Sequence, residues 1–276
     1  MHVKGPRSII WLAAATGLAL AGCSSVTHLV GGLGGGKGEA RLVVASLTTP
    51  QSNISLTADG GTINSGLSAV TPIGVYAQVG AGQETFAVNT GTGTANLVSP
   101  INVSVAASTN YSIVLEGEPG SADYIAFGFQ DTNALNNAAT VRFKVNNAAP
   151  NLTSAVDAYV WLSTSSIPPT PTVATLGLNQ DSGSVANAPG NAYIPQQGSP
   201  TLLPAGVYDV AIVPAGTVPN GSTDLFDGQT SFALNTSYSL TIADNNATAN
   251  NIAVLASIDE PFQSSNQSVH RQRLLR

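Results

Sequence analysis

The chain has 276 residues, of which 43% are hydrophobic and only 9% charged, with a formal net charge of −6. That apolar content excludes charge-driven disorder, which combines low hydrophobicity with high net charge. From Ala40 to Glu260 the only basic residues are Arg41, Arg142 and Lys144, so the clustered cations that a phosphate backbone requires are missing and nucleic acid is excluded as a partner.

Residues 1–22 read as an export signal. Lys4 and Arg7 precede an apolar run from Ile9 to Leu20, shorter than the roughly 20 residues a membrane-spanning helix needs. The run ends in Leu20, Ala21, Gly22 and Cys23, which resembles the lipobox of bacterial lipoproteins. The resemblance implies a diacylglyceryl thioether on Cys23, cleavage before it and acylation of the new amino terminus, giving the two or more lipid signals that stable anchoring requires. Ser24 and Ser25 follow where an aspartate is absent, and by the same resemblance this favours the outer membrane. Cys23 is the single cysteine, so no disulfide can form within the chain.

Residues 23–38, rich in glycine from Gly31 to Gly38, read as a flexible tether. Beyond it the apolar period is two. Tyr111, Ile113 and Leu115 alternate with Ser112, Val114 and Glu116; Tyr208, Val210 and Ile212 alternate with Val207, Asp209 and Ala211. Such alternation predicts half-buried strands. Further strands are predicted over residues 41–47, 54–58, 73–79, 123–129, 155–162 and 252–258, with turn-forming clusters between them.

The strands recur as a set. Residues 81–88 match 205–212, residues 110–115 match 237–242, and residues 40–50 lie over 140–150. The fold class is therefore all-β, with two tandem immunoglobulin-like sandwiches over residues 39–135 and 136–262, a boundary near residues 133–138, and a disordered tail over 263–276. Tyr111 and Tyr238 open late strands, as in a tyrosine corner, where the hydroxyl bonds back to upstream backbone. The second copy carries extra residues over 165–200, a candidate recognition loop on a shared scaffold.

All three histidines, His2, His28 and His270, lie outside the predicted domains, which removes Ser-His-Asp, Cys-His and histidine-ligated metal chemistry from them. Two carboxylate pairs, Glu116 with Glu118 and Asp224 with Asp227, fit the minimal requirement of glycoside hydrolysis, but both sit at turns, where acids are solvated or form the turn. Residues 220–228 have the oxygen-rich composition of a calcium loop without EF-hand spacing, so a turn is expected. Sequons such as Asn102-Val103-Ser104 follow from composition.

Ala148-Ala149-Pro150, then residues 155–160, then residues 203–210, resemble in order the motifs of the bacterial envelope domain family DUF4397. Asn147 stands where that pattern often has a histidine. The resemblance implies an envelope β-domain and assigns no activity. These readings together predict a membrane-anchored envelope lipoprotein without catalytic residue, metal or cofactor, held by its lipid and contacting an unknown envelope protein or glycan. The alternative is a carbohydrate-active enzyme, or a carbohydrate- or calcium-binding accessory protein, using surface carboxylates.

Overall fold

The structure is a computed structural model describing residues 36–47, 51–91, 95–131, 140–182, 194, 203–246 and 248–259. Cys23 with its lipobox residues, the domain boundary and the tail lie outside the described residues. No described segment forms a helix long and apolar enough to cross a membrane.

The described chain is all β. In the first half, β1 (Lys37–Val44), β4 (Ala77–Gly80), β8 (Asn110–Glu116) and β9 (Ile125–Asp131) form one sheet in the order β4-β1-β8-β9. The facing sheet contains β2 (Ile54–Ala58), β3 (Gly61–Leu67), β5 (Gly82–Thr90), β6 (Ala95–Asn96) and β7 (Ile101–Val105). The second half repeats the plan. Its inner sheet runs β10 (Val141–Ala148), β15 (Thr236–Asp244), β16 (Ile252–Asp259), and its outer sheet runs β12 (Val173–Leu176), β11 (Val156–Leu162), β13 (Gly206–Pro214), β14 (Phe226–Phe232).

The immunoglobulin expectation requires correction. In that fold the second and third strands lie in different sheets, whereas β2 and β3 form a hairpin within one sheet. The first strand of each half instead lies parallel to a late one, β1 beside β8 and β10 beside β15. Each half is still a sandwich, because Leu42, Ile113, Leu56, Val88 and Phe86 share one core and Phe143, Leu240, Val160, Val210 and Phe232 share the other.

A third apolar cluster joins the halves: Val43, Ala45, Val114 and Phe129 of the first pack with Ala148, Ala243 and Leu255 of the second. The inner sheets are therefore covered on both faces, and the described residues form a stack of four sheets. β8, expected to be half-buried, is buried throughout, and so is β10. Their polar alternate residues face the other half rather than water.

Three further expectations shift. The tether ends earlier than predicted, since Lys37 and Gly38 belong to β1. A Cβ on Gly38 would lie 2.5 Å from Val105 Cγ1, so this glycine allows close packing rather than flexibility. The repeat is also offset: Ala40 pairs with Tyr111 and Phe143 pairs with Tyr238, so Ala40 corresponds to Phe143 and not to Thr140. Finally, the extra residues of the second copy are partly structural. Gly38, Ala40 and Val43 pair with Val79, Ala77 and Ile73, and the equivalent Val141, Phe143 and Asn146 pair with Leu203, Ile194 and Asp181. Asp181, Ile194 and Leu203 thus bridge to the edge of β10 as Ile73, Ala77 and Val79 pair with the edge of β1.

Candidate functional site: the seam between the halves

Alternation on β1 and β10 decides what enters the seam. Ala40, Leu42 and Val44 point into the first core, and Val141, Phe143 and Val145 into the second. The intervening Arg41 and Lys144 therefore point at the opposite half, and both are buried. Together with Arg142 they account for every described cation except the exposed Lys37.

The two cations occupy equivalent places. Arg41 lies beside Ser112 in the β1–β8 register, and Lys144 lies beside Ser239 in the β10–β15 register. At the end of each inner sheet stands an aspartate, Asp131 opposite Asn110 and Asp259 opposite Ser237. The charges cross: Arg41 Nη2 pairs with Asp259 of the second half, and Lys144 Nζ pairs with Asp131 of the first. Each aspartate also accepts from a serine of its own half, Asp131 from Ser112 Oγ at 2.7 Å and Asp259 from Ser239 Oγ at 2.6 Å.

Arg41 makes full use of its fork. Nε donates to Ser112 Oγ at 3.0 Å, Nη1 to the Ile258 carbonyl at 2.8 Å, and Nη2 to Ser257 Oγ at 3.1 Å besides its bond to Asp259. Its guanidinium carbon lies 4.4 Å from the centre of the Tyr76 ring, within cation–π range. Tyr76 Oη donates to Asp131 Oδ2 at 2.7 Å and lies 3.4 Å from Asp259 Oδ1, between the two pairs. Burial raises the Tyr76 phenol well above its ordinary value, and the two aspartates add to burial against the opposing Arg41. Burial alone would raise Asp131 as well, but Lys144 and then Arg41, with the hydrogen bonds from Lys144 and Tyr76, hold its carboxyl below the usual range.

The other end of the seam carries acids without cations. Glu116, on the same face of β8 as Ser112 and Val114, is 1% exposed, and Asp244 at the end of β15 is 0% exposed. Neither forms an ion pair among the described residues. The Asn179 amide, turned with its nitrogen inward, donates to the Glu116 carboxyl oxygens at 2.9 and 3.0 Å. Asp244 accepts from Asn151 N–H at 3.2 and 3.3 Å. Burial pushes Glu116 up to about 8, with Asp244 and Asp123 adding and the Asn179 bond opposing. Burial likewise raises Asp244 to about 6, with the Asn151 bond opposing and Asp123 adding.

This overturns the expectation that Glu116 is a solvated turn residue, since it is the last residue of the buried strand β8, while Glu118 lies in the turn that Ser121 N–H closes on the Glu118 carbonyl. Asp224 behaves as expected of a turn former: its two oxygens accept from Asn220 N–H and Gly221 N–H, each at 3.0 Å, while Asn220 Oδ1 accepts from Ser222 N–H and Thr223 N–H. Asp227 lies on β14 opposite Ala211, and among the described residues no group of three or more His, Cys, Asp or Glu could hold a metal. The tyrosine-corner bonds are present, with Ala106 N–H donating to Tyr111 Oη at 3.0 Å and Ala233 N–H to Tyr238 Oη at 2.9 Å.

No protein family matches the chain. No curated protein matches it either. Among solved structures, the Bacillus anthracis TIE protein is similar over 75% of this chain and 33% of its own, at 8% identity and TM-score 0.21, so the chain spans about a third of that protein's length. A "putative cell adhesion protein" from Bacteroides uniformis is similar over 82% of this chain and 98% of its own, at 11% identity and TM-score 0.23. A leucine-rich repeat protein from Bacteroides thetaiotaomicron covers 78% and 26%, at 13% identity and TM-score 0.17. At these TM-scores none of the three bears on how the seam works.

Proposed function

We propose that the chain is a lipid-anchored cell-envelope protein whose folded part is a non-catalytic structural, adhesive or binding module. One observation carries the reading of the folded part: the cations and acids conserved in register between the halves are spent on each other across the seam. Two sandwiches joined in that way form one body suited to bearing or presenting a contact surface at a distance from a membrane. The occupations of Asp131, Asp259 and Asp224 favour this reading over one that uses paired acids in catalysis. The address rests on the export segment and on Cys23.

The address and the role are tested together in cells producing the natural chain and its Cys23→Ser variant. The proposal expects palmitate incorporation and membrane fractionation of the first and neither of the second, with envelope proteins or glycans retained by the anchored form. Equal labelling of both would refute the anchor. Turnover of a glycan that a single carboxylate substitution abolishes would refute the non-catalytic module.

A further inference from the structure

The acid end of the seam has a composition that the crossed charge pairs do not require. Glu116 from β8 and Asp123 from the β8–β9 connection belong to the first half, and Asp244 from β15 belongs to the second. They meet where the halves also touch through backbone, at the isolated parallel bridge between Ser46 and Asp244. Ser46 Oγ in turn donates to the Gly117 carbonyl, tying this point to the end of β8. The groups facing Glu116 are Asn179, Asp244 and Asp123, and those facing Asp244 are the Asn151 N–H, Glu116 and Asp123. None of them is a cation. A buried carboxylate without a counter-ion is strongly disfavoured, so contact at this end depends on the acids remaining neutral.

We propose that this end of the seam is a proton-operated latch: with Glu116 and Asp244 neutral the halves close over one another, and ionisation of the two acids drives them apart. The crossed pairs stay joined in the open form, because Ser112, which holds Asp131, lies four residues from Glu116 along β8, about 13 Å at the rise of a strand. Arg41 with Asp259 and Lys144 with Asp131 are paired when the latch is closed. They form the hinge. Val43, Val114, Ala243 and Leu255, between the two ends, are the surface that water would enter. Asn179 can serve either state, since its amide offers oxygen to a protonated carboxyl and nitrogen to an ionised one. Burial raises the pKa of both Glu116 and Asp244, in agreement with this arrangement.

The test uses the full chain with Cys23→Ser and spin labels on cysteines introduced at Val70 and Val218, one exposed position in each half. The distance distribution is recorded from pH 5 to pH 9, with circular dichroism on the same samples. The latch predicts that the longer-distance population rises roughly tenfold per pH unit between about pH 6 and 8, with unchanged strand signal. It also predicts a flat response in the Glu116→Gln, Asp244→Asn double variant. A distribution constant with pH would overturn the proposal, as would a double variant that responds like its parent, or a shift accompanied by loss of strand signal.

Discussion

Lys144 holds in the second half the place that Arg41 holds in the first, and each is neutralised by the aspartate of the other half. Crossing has a mechanical consequence that pairing within each half would lack. Separating the sandwiches at this end breaks both ion pairs in one step.

Removing one partner shows the size of that cost. Asp131→Ala leaves Lys144 buried beside Phe129 without its counter-ion, and such a break costs about 3–5 kcal/mol. Chemical denaturation of the parent and variant measures it directly. The double variant Asp131→Leu, Lys144→Met removes both charges and is expected to recover most of the loss, because an apolar pair of similar volume often replaces a buried ion pair at little cost.

The two cations are not equivalent in what they hold. Arg41→Lys keeps the charge but gives up the planar fork that reaches Ser112, Ile258, Ser257 and Asp259 at once. A loss of about 1–3 kcal/mol is expected, from hydrogen bonds to a charged group. The same denaturation experiment checks it.

Stability should peak on the acid side of neutrality. Glu116 and Asp244 have native values raised to about 8 and about 6, so they hold protons in the folded chain that the unfolded chain releases. Their contribution is complete below the ordinary carboxylate range and falls as pH rises toward about 8. Asp131, held low by Lys144 and Arg41 against burial, acts oppositely: its contribution is present above the ordinary carboxylate value and is lost as pH falls through its native value. Thermal melts across pH should show the maximum between these limits, and Glu116→Gln should remove most of the decline above it.

The tyrosines supply a local control within each half. Tyr111→Phe leaves the Ala106 N–H without its acceptor, and Tyr238→Phe does the same to Ala233. Each change is expected to cost about 1–2 kcal/mol, with no effect on pH dependence. Melting curves at two pH values separate this result from one at the seam.

Much of the fold was legible because alternation and turn residues act locally. β2, β8, β11 and β16 fall where their apolar period places them, and the repeat around Tyr111 and Tyr238 emerges with the correct register. β3 was not visible, because Asn64, Ser65 and Gly66 interrupt any alternation. β14 was hidden by its overlap with an acid-rich turn. The seam escaped for a different reason. Ser112, Val114 and Glu116 look like a solvated face, and nothing local distinguishes water from a second sandwich as the medium they meet. A signal did exist: in a stretch so poor in cations, Arg41 and Lys144 lie in the middle of apolar alternation on the first strand of each copy, where a solvated charge has no reason to recur.

The claim that the crossed pairs make one body of two sandwiches is tested most directly by calorimetry of the Cys23→Ser chain beside its Asp131→Asn, Asp259→Asn variant. The account predicts one unfolding transition for the parent, with calorimetric and van't Hoff enthalpies equal, and two separated transitions for the variant. Two independent transitions in the parent, or a single unchanged transition in the variant, would contradict it.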